Sequence, residues 1–214
     1  MKHLSQKGFT ILELMIASSI FSVMLIVCLG AIVYLGKLYY KGVTISNTAE
    51  VTRASIDEIT EAIQYSGDAF EAAPADPTPS GWTGAYCIGV KKYSYRIGYQ
   101  LVIGTPGTNQ ANQVLTVSND QSCIGYEPSG DQQRELLKEN MRLTDFAITP
   151  GPSGLTNVEI GVAYGGDPTD QSVEDNTFNT EADGTIISCK DSSTGSAFCA
   201  TNFLKTSALR KVGL

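Results

Sequence analysis

From Thr10 to Gly36 almost every position is apolar, and the run has no polar face. Residues 9–36 carry one charged side chain, Glu13. As a helix this stretch would extend about 42 Å, enough to cross a hydrocarbon core of about 30 Å. Beyond it the pattern changes. Across 37–67, Ile45, Ala49, Thr52, Ile56, Ile59 and Ile63 fall on one stripe at helical spacing, while Glu50, Arg53, Asp57, Glu58 and Glu61 lie mostly off it. Gly67 is a stop signal. The pattern predicts one long helix whose second half buries its stripe under a sheet. Gly30, Gly36 and Gly42 interrupt it. Each costs up to about 1 kcal/mol in a helix interior. One reading is close packing between helices; the other is a segment that unwinds when a filament packs, weakened because no proline stands in this region.

Residues 72–81, rich in proline and alanine, read as a loop. The period then becomes two. Tyr93, Tyr95, Ile97, Tyr99, Leu101 and Ile103 alternate with Ser94, Arg96, Gly98, Gln100 and Val102, which predicts a half-buried strand. Its tyrosines read as a sheet face packed on a helix rather than a carbohydrate or peptide platform. Val158, Ile160, Val162 and Tyr164 alternate likewise, and shorter strands are expected at 114–118, 143–149, 185–189 and 202–209. Residues 132–142 favour helix by propensity. The fold class is α+β: a long N-terminal helix, membrane-spanning over 9–36 and amphipathic over 37–67, packed on a mainly antiparallel β-rich domain over 68–214.

Composition narrows the chemistry. The formal net charge is −7 and the pI about 4.7, which argues against direct nucleic-acid binding, since that needs a basic patch. Of five cysteines, Cys28 lies in the apolar run, and Cys87, Cys123, Cys189 and Cys199 lie in the polar remainder. Those four read as two disulfides in an oxidising compartment, with three pairings open. Nearness in sequence favours Cys87 with Cys123 and Cys189 with Cys199. A zinc site is disfavoured, because no C-x-x-C spacing occurs and the single histidine is His3. A chain cut after residue 8 loses that histidine, and with it triad chemistry and His-ligated metal chemistry.

Glu13 is the anomaly of the apolar run. A secretory signal needs a shorter core and a small-x-small cleavage site, and Val33-Tyr34-Leu35 is a poor one. A plain anchor leaves a costly carboxylate in lipid unexplained. A cut between Gly8 and Phe9 would place a new α-amine one helical turn before Glu13, able to pair with it or with Glu13 of a neighbouring copy. Without a cut the cation is missing and the acid has no partner.

The residues Lys7-Gly8-Phe9-Thr10-Ile11-Leu12-Glu13-Leu14 resemble the leader junction of type IV pilins and pseudopilins. The resemblance implies a leader over 1–8, cleavage after Gly8 by a prepilin peptidase, N-methylation of Phe9, and subunit docking through Glu13. It further implies partners: other pilins or pseudopilins through the N-terminal helix, and an inner-membrane assembly platform and motor. Lys2 and Lys7 keep the leader cytoplasmic; Lys37 and Lys41 on the far side weaken that rule, and the disulfides place the carboxy-terminal part outside. The expected location is a single-pass membrane protein that later enters a surface pilus or pseudopilus. Residues 136–166 and 203–214 are similar to J/W-type minor pilins and pseudopilins, in which a Phe-containing strand, a turn and another strand precede a final strand with a Leu-Arg pair.

The loop over 165–185 holds Asp167, Asp170, Glu174, Asp175, Glu181 and Asp183. It is a calcium candidate by composition, but its spacing does not fit an EF-hand, and a solvated acidic loop is the preferred reading. No other cofactor is implied. Three function classes compete. The preferred one is a minor pilin-like structural subunit. The alternative is a membrane-anchored extracytoplasmic ligand-binding domain that does not polymerise. An anchored carboxylate hydrolase is disfavoured, because nothing fixes two acids in a cleft. The reading is therefore of a non-enzyme.

Overall fold

The computed structural model describes residues 10–67, 69–74, 81–101, 113–120, 122–165, 177–181, 186–190 and 198–211. Two compact units divide the chain, Met1–Tyr40 and Lys41–Leu214. One continuous helix, α1 (Ile11–Tyr65), contains the apolar run and is long and apolar enough to cross a membrane. Ser18, Ser19 and Ser22 donate their hydroxyls to the carbonyls of Met15, Ile16 and Ser18, so the helix satisfies its own polar side chains.

The buried stripe of α1 begins at Thr48 and continues through Val51, Thr52, Ser55, Ile56, Ile59 and Ile63. The sequence placed its start at Ile45, which is 48 % exposed. Thr48 and Thr52 return their hydroxyls to the carbonyls of Thr44 and Thr48 at 2.8 and 2.7 Å. A threonine that bonds its own helix can be buried as cheaply as an aliphatic residue, which is why the stripe is mixed. The helix ends at Tyr65, and Gly67 follows with φ +72°, the left-handed conformation that glycine adopts after a helix end.

The first sheet has the order β1 (Glu71–Ala72), β2 (Gly84–Ile88), β3 (Lys91–Tyr95), β4 (Leu115–Asn119) and β5 (Asp131–Glu135), all antiparallel. The second has β6 (Met141–Pro150) and β7 (Leu155–Tyr164) joined through the 3-10 turn Pro152–Gly154, with β10 (Ala200–Leu209) on the other side of β7. A separate hairpin pairs β8 (Phe178–Thr180) with β9 (Ile186–Cys189). The main core gathers Ile56, Ile59 and Ile63 of α1 with Tyr93, Leu115 and Val117 of the first sheet and Phe146, Ile160 and Val162 of the second. A smaller core under the hairpin holds Ala163, Phe178, Ile186 and Cys199. The α+β layout expected from the pattern is the observed one.

Two expected elements differ. The strand expected over 93–103 stops at Tyr95, and Val102 and Ile103 lie outside the described residues. After Tyr95 the chain leaves the first sheet and meets the second: Ile97 bridges Leu143, Gln100 bridges Arg142, and Gly98 donates to the Leu143 carbonyl at 2.8 Å. Gly98 has φ +82°, a turn that a side chain would resist. The alternation persisted because both sheets demand it, so one period covered two elements. The helix expected over 132–142 is instead β5, a turn and the start of β6. Tertiary partners override the propensity there. The Glu135 carboxylate accepts the backbone N–H groups of Val114 and Leu115, each at 2.8 Å, and of Leu137 at 3.2 Å. Arg134 reaches Glu58 of α1 at 2.6 Å. Burial pushes the Glu135 carboxyl above its ordinary value, against the pull of the N–H donors.

The tyrosines divide as their surroundings change. Tyr93 is fully buried, and its phenol is raised beyond its ordinary value by burial and by the nearby Glu58. Tyr95 stacks on Tyr86 with ring centroids 5.6 Å apart, and Phe146 meets both edge-on. Tyr99 stands partly exposed beside the Arg96 guanidinium, which lies 4.4 Å over the Trp82 ring.

Candidate functional site

Thr10 opens α1 as its N-terminal cap. Its hydroxyl accepts the Glu13 N–H at 3.2 Å, and the Glu13 Oε2 accepts both the Thr10 N–H and the Thr10 hydroxyl at 3.0 Å. This reciprocal arrangement is a capping box, in which residues three apart satisfy one another's orphan donors. The carboxylate also stands at the positive end of the helix dipole. Sequence reasoning left Glu13 without a partner before any cut; the structure corrects this. The signal was in the sequence, since Thr-x-x-Glu ahead of an apolar run is a capping pattern. Among the described residues Glu13 Oε1 has no partner, so one oxygen is free to meet a second donor. Lys7, Gly8 and Phe9, the expected junction, lie outside the described residues.

The structure joins Cys87 to Cys123 and Cys189 to Cys199, each with Cα atoms 5.9 Å apart. Cys28 is free and exposed on α1. The first bond is reinforced by a polar lock that the sequence did not reveal. Lys92, opposite Cys87 in the β2–β3 register, is fully buried. Its ammonium donates to Asp120 Oδ2 at 3.4 Å, to the Ile124 carbonyl at 2.8 Å and to Ser129 Oγ at 3.0 Å. Asp120 in turn accepts the Ser122 hydroxyl at 2.6 Å, the Ser122 N–H at 2.8 Å, and the Ser129 hydroxyl. These hydroxyls, with the Ser122 N–H and Lys92, hold its carboxyl well below the usual carboxylate range. All three protons of the Lys92 ammonium are committed to oxygens, so the group is a clamp on the segment 120–130 rather than a base or nucleophile.

Of the acidic loop, Glu181 is exposed at the end of β8; Asp167, Asp170, Glu174, Asp175 and Asp183 lie outside the described residues. Among the described residues no group of three or more His, Cys, Asp or Glu side chains gathers to hold a metal.

No curated protein and no solved structure matches the chain. Residues 4–29 match the family model described as the prokaryotic N-terminal methylation motif. That match spans the capping box and the apolar run as far as Leu29, and with it the chain carries the signature of type IV pilins and pseudopilins.

Proposed function

We propose that this chain is a minor pilin-like structural subunit of a type IV pilus or of a type II secretion-like pseudopilus. A prepilin peptidase cuts it after Gly8, Phe9 becomes N-methylated, and Glu13 guides docking onto other pilins or pseudopilins. The observation that carries the reading is Glu13 itself: an acid at the head of an apolar helix, within the methylation motif, with one carboxylate oxygen that meets no donor among the described residues. A neighbour's N-terminal amine is a donor of the right charge for that oxygen, and a carboxylate in lipid is otherwise costly. Packing helices therefore gains a charge pair that an isolated helix lacks.

Before assembly the subunit is a single-pass membrane protein. The leader 1–8 is cytoplasmic, 9–36 spans the membrane, 37–67 continues the helix, and the β-rich domain is extracytoplasmic. The disulfides support that side for the domain. The inner-membrane platform and motor supply the work of extraction, and this chain performs no catalysis and uses no cofactor. Assignment as a minor subunit rests on the likeness of 136–166 and 203–214 to the J/W type: β6 with Phe146, a turn, β7, and a last strand ending at Leu209 before Arg210.

The test is intact-mass and N-terminal analysis of the protein made in its own host, with Glu13→Ala beside the wild type. A chain that starts at Phe9 with one added methyl and two disulfides, and fails to enter filaments once Glu13 is replaced, is the expected result. A chain retaining Met1, or a Glu13→Ala variant that assembles normally, overturns the proposal.

A further inference from the structure

The outer side of the second sheet carries a groove of about 450 Å³ between β6, β10 and the β8–β9 hairpin. Its size falls within the ~300–1,000 Å³ of ligand-holding pockets. Local sequence explains why it is open. Gly161 on β7 is flanked in register by Phe203 on one side and Asp145 on the other. The pairing of β6 with β7 shifts between Leu143 and Asp145, so Thr144 is an inserted residue. Its Oγ1 lies 2.2 Å from where a Cβ on Gly161 would stand. At the central position of this face the Thr144 hydroxyl takes the place of a Gly161 side chain, so the floor is low and polar and the residues around it form walls.

The walls are chemically one-sided. Phe203 is 54 % exposed, so an aromatic face is turned to solvent on an edge strand. Asp145 and Glu181 supply two carboxylates, Thr144, Thr201 and Asn202 supply neutral oxygens, and among the described residues no lysine or arginine lines the groove. The neighbouring row of the same sheet is different: there Glu159 is matched by Lys205 on the adjacent strand. Among the described residues Asp145 has no such cation. A hard metal ion would ask for six to eight oxygens, and among the described residues the groove offers two acids and no third. A neutral sugar would use the aromatic face but leave the carboxylates uncompensated. A flexible basic side chain uses both, with its cationic head between the carboxylates and its charge against the ring.

We propose that this groove binds a lysine or arginine side chain presented by a partner protein. The proposal is independent of the assembly reading, since it concerns the outer domain and needs neither cleavage nor Glu13. Charge complementarity selects the occupant: the groove is acidic within a chain of net charge −7, so basic segments are steered towards it and acidic ones repelled.

The test uses the full chain in a non-ionic detergent at low salt, with a fluorescein-labelled, end-capped tetralysine peptide read by anisotropy. Asp145→Asn, Glu181→Gln and Phe203→Leu are compared with Asp131→Asn, an acid on β5 of the other sheet. Each groove change is expected to weaken binding about two- to five-fold, and the Asp131 change to leave it as in the wild type. Should Asp145→Asn fail to fold, Glu181→Gln and Phe203→Leu decide, because both positions are exposed. Equal weakening by Asp131→Asn means diffuse attraction and overturns the site. So does tetralysine binding that ignores all three groove changes, the absence of tetralysine binding, or Phe203-dependent binding of a neutral trisaccharide in place of the peptide.

Discussion

Thr10 and Glu13 close the first turn of the helix together. One carboxylate oxygen accepts both Thr10 donors, and among the described residues the other meets no donor. Thr10→Val deletes the shared hydroxyl, so the amides of the first turn should exchange about five-fold faster, the usual worth of an N-cap, while Thr10→Ser should exchange as the wild type; hydrogen exchange of the detergent-solubilised chain reads both. Asp120 gives a pH prediction. Its folded pKa is depressed by the Ser122 and Ser129 hydroxyls and by Lys92, so its contribution is complete above the ordinary value of about 3.9 and drains away as pH falls below it. Melting temperatures measured on either side of pH 4 should therefore drop more for the wild type than for Asp120→Asn, and equal drops would remove Asp120 from the acid response. Glu135 has the opposite sign: burial raises its folded pKa, so its ionisation costs stability as pH rises from the ordinary value to the folded one. Even so, Glu135→Gln is expected to destabilise by about 1–3 kcal/mol in urea unfolding, because an amide NH₂ would face the backbone N–H groups it now satisfies.

Elements were legible in the sequence where one environment dictated one period. The apolar run, the stripe ending at Ile63, and the alternation of β7 read correctly because burial on one side is enough to write them. Positions that answer to distant partners were not legible. Glu135 looks like a helix residue until the N–H groups of Val114 and Leu115 are placed beside it. Lys92 looks like a surface charge until β3 places it opposite Cys87 and under the segment that carries Asp120 and Ser129. β2 and β5 lacked a readable pattern because their faces are not divided into apolar and polar: β2 is buried on both, and β5 is exposed over its first four residues. At the helix start the motif was read for its chemistry, and the cap within it was overlooked. Gly161 is the clearest case of an element fixed by a neighbour. A Cβ there would collide with the Thr144 hydroxyl and stand 3.2 Å from the Asp145 nitrogen. Gly161→Ala should cost about 1–3 kcal/mol, the range for overpacking. Adding Thr144→Ala should recover part of it, and if thermal denaturation finds the two changes additive, the close approach is not what keeps this position glycine.

For the molecule as a whole, the β-rich domain is held by two disulfides and, among the described residues, a polar lock that duplicates one of them. Cys87–Cys123 spans 36 positions and Cys189–Cys199 spans 10. Loop-closure entropy makes each worth about 2–4 kcal/mol, with the longer loop worth more. The segment 120–130 is tied at Cys123 by sulfur and at Asp120, Ile124 and Ser129 by the Lys92 ammonium. Either tie alone keeps its backbone near β3, since a buried ammonium cannot give up three oxygens without being left unpaired. Half-buried Tyr126 lies inside that segment and offers a readout through chymotrypsin at the Tyr126–Glu127 bond. Cys87→Ala/Cys123→Ala should melt earlier yet keep that bond protected, and Lys92→Met with the disulfide intact should do the same. Removing both should open the segment and bring rapid cleavage after Tyr126, by more than the two separate changes combine to give. Cleavage of the disulfide-free protein as fast as the triple variant would mean that Lys92 follows the loop instead of holding it. The fold would then depend on an oxidising compartment for its first sheet as well as for its hairpin.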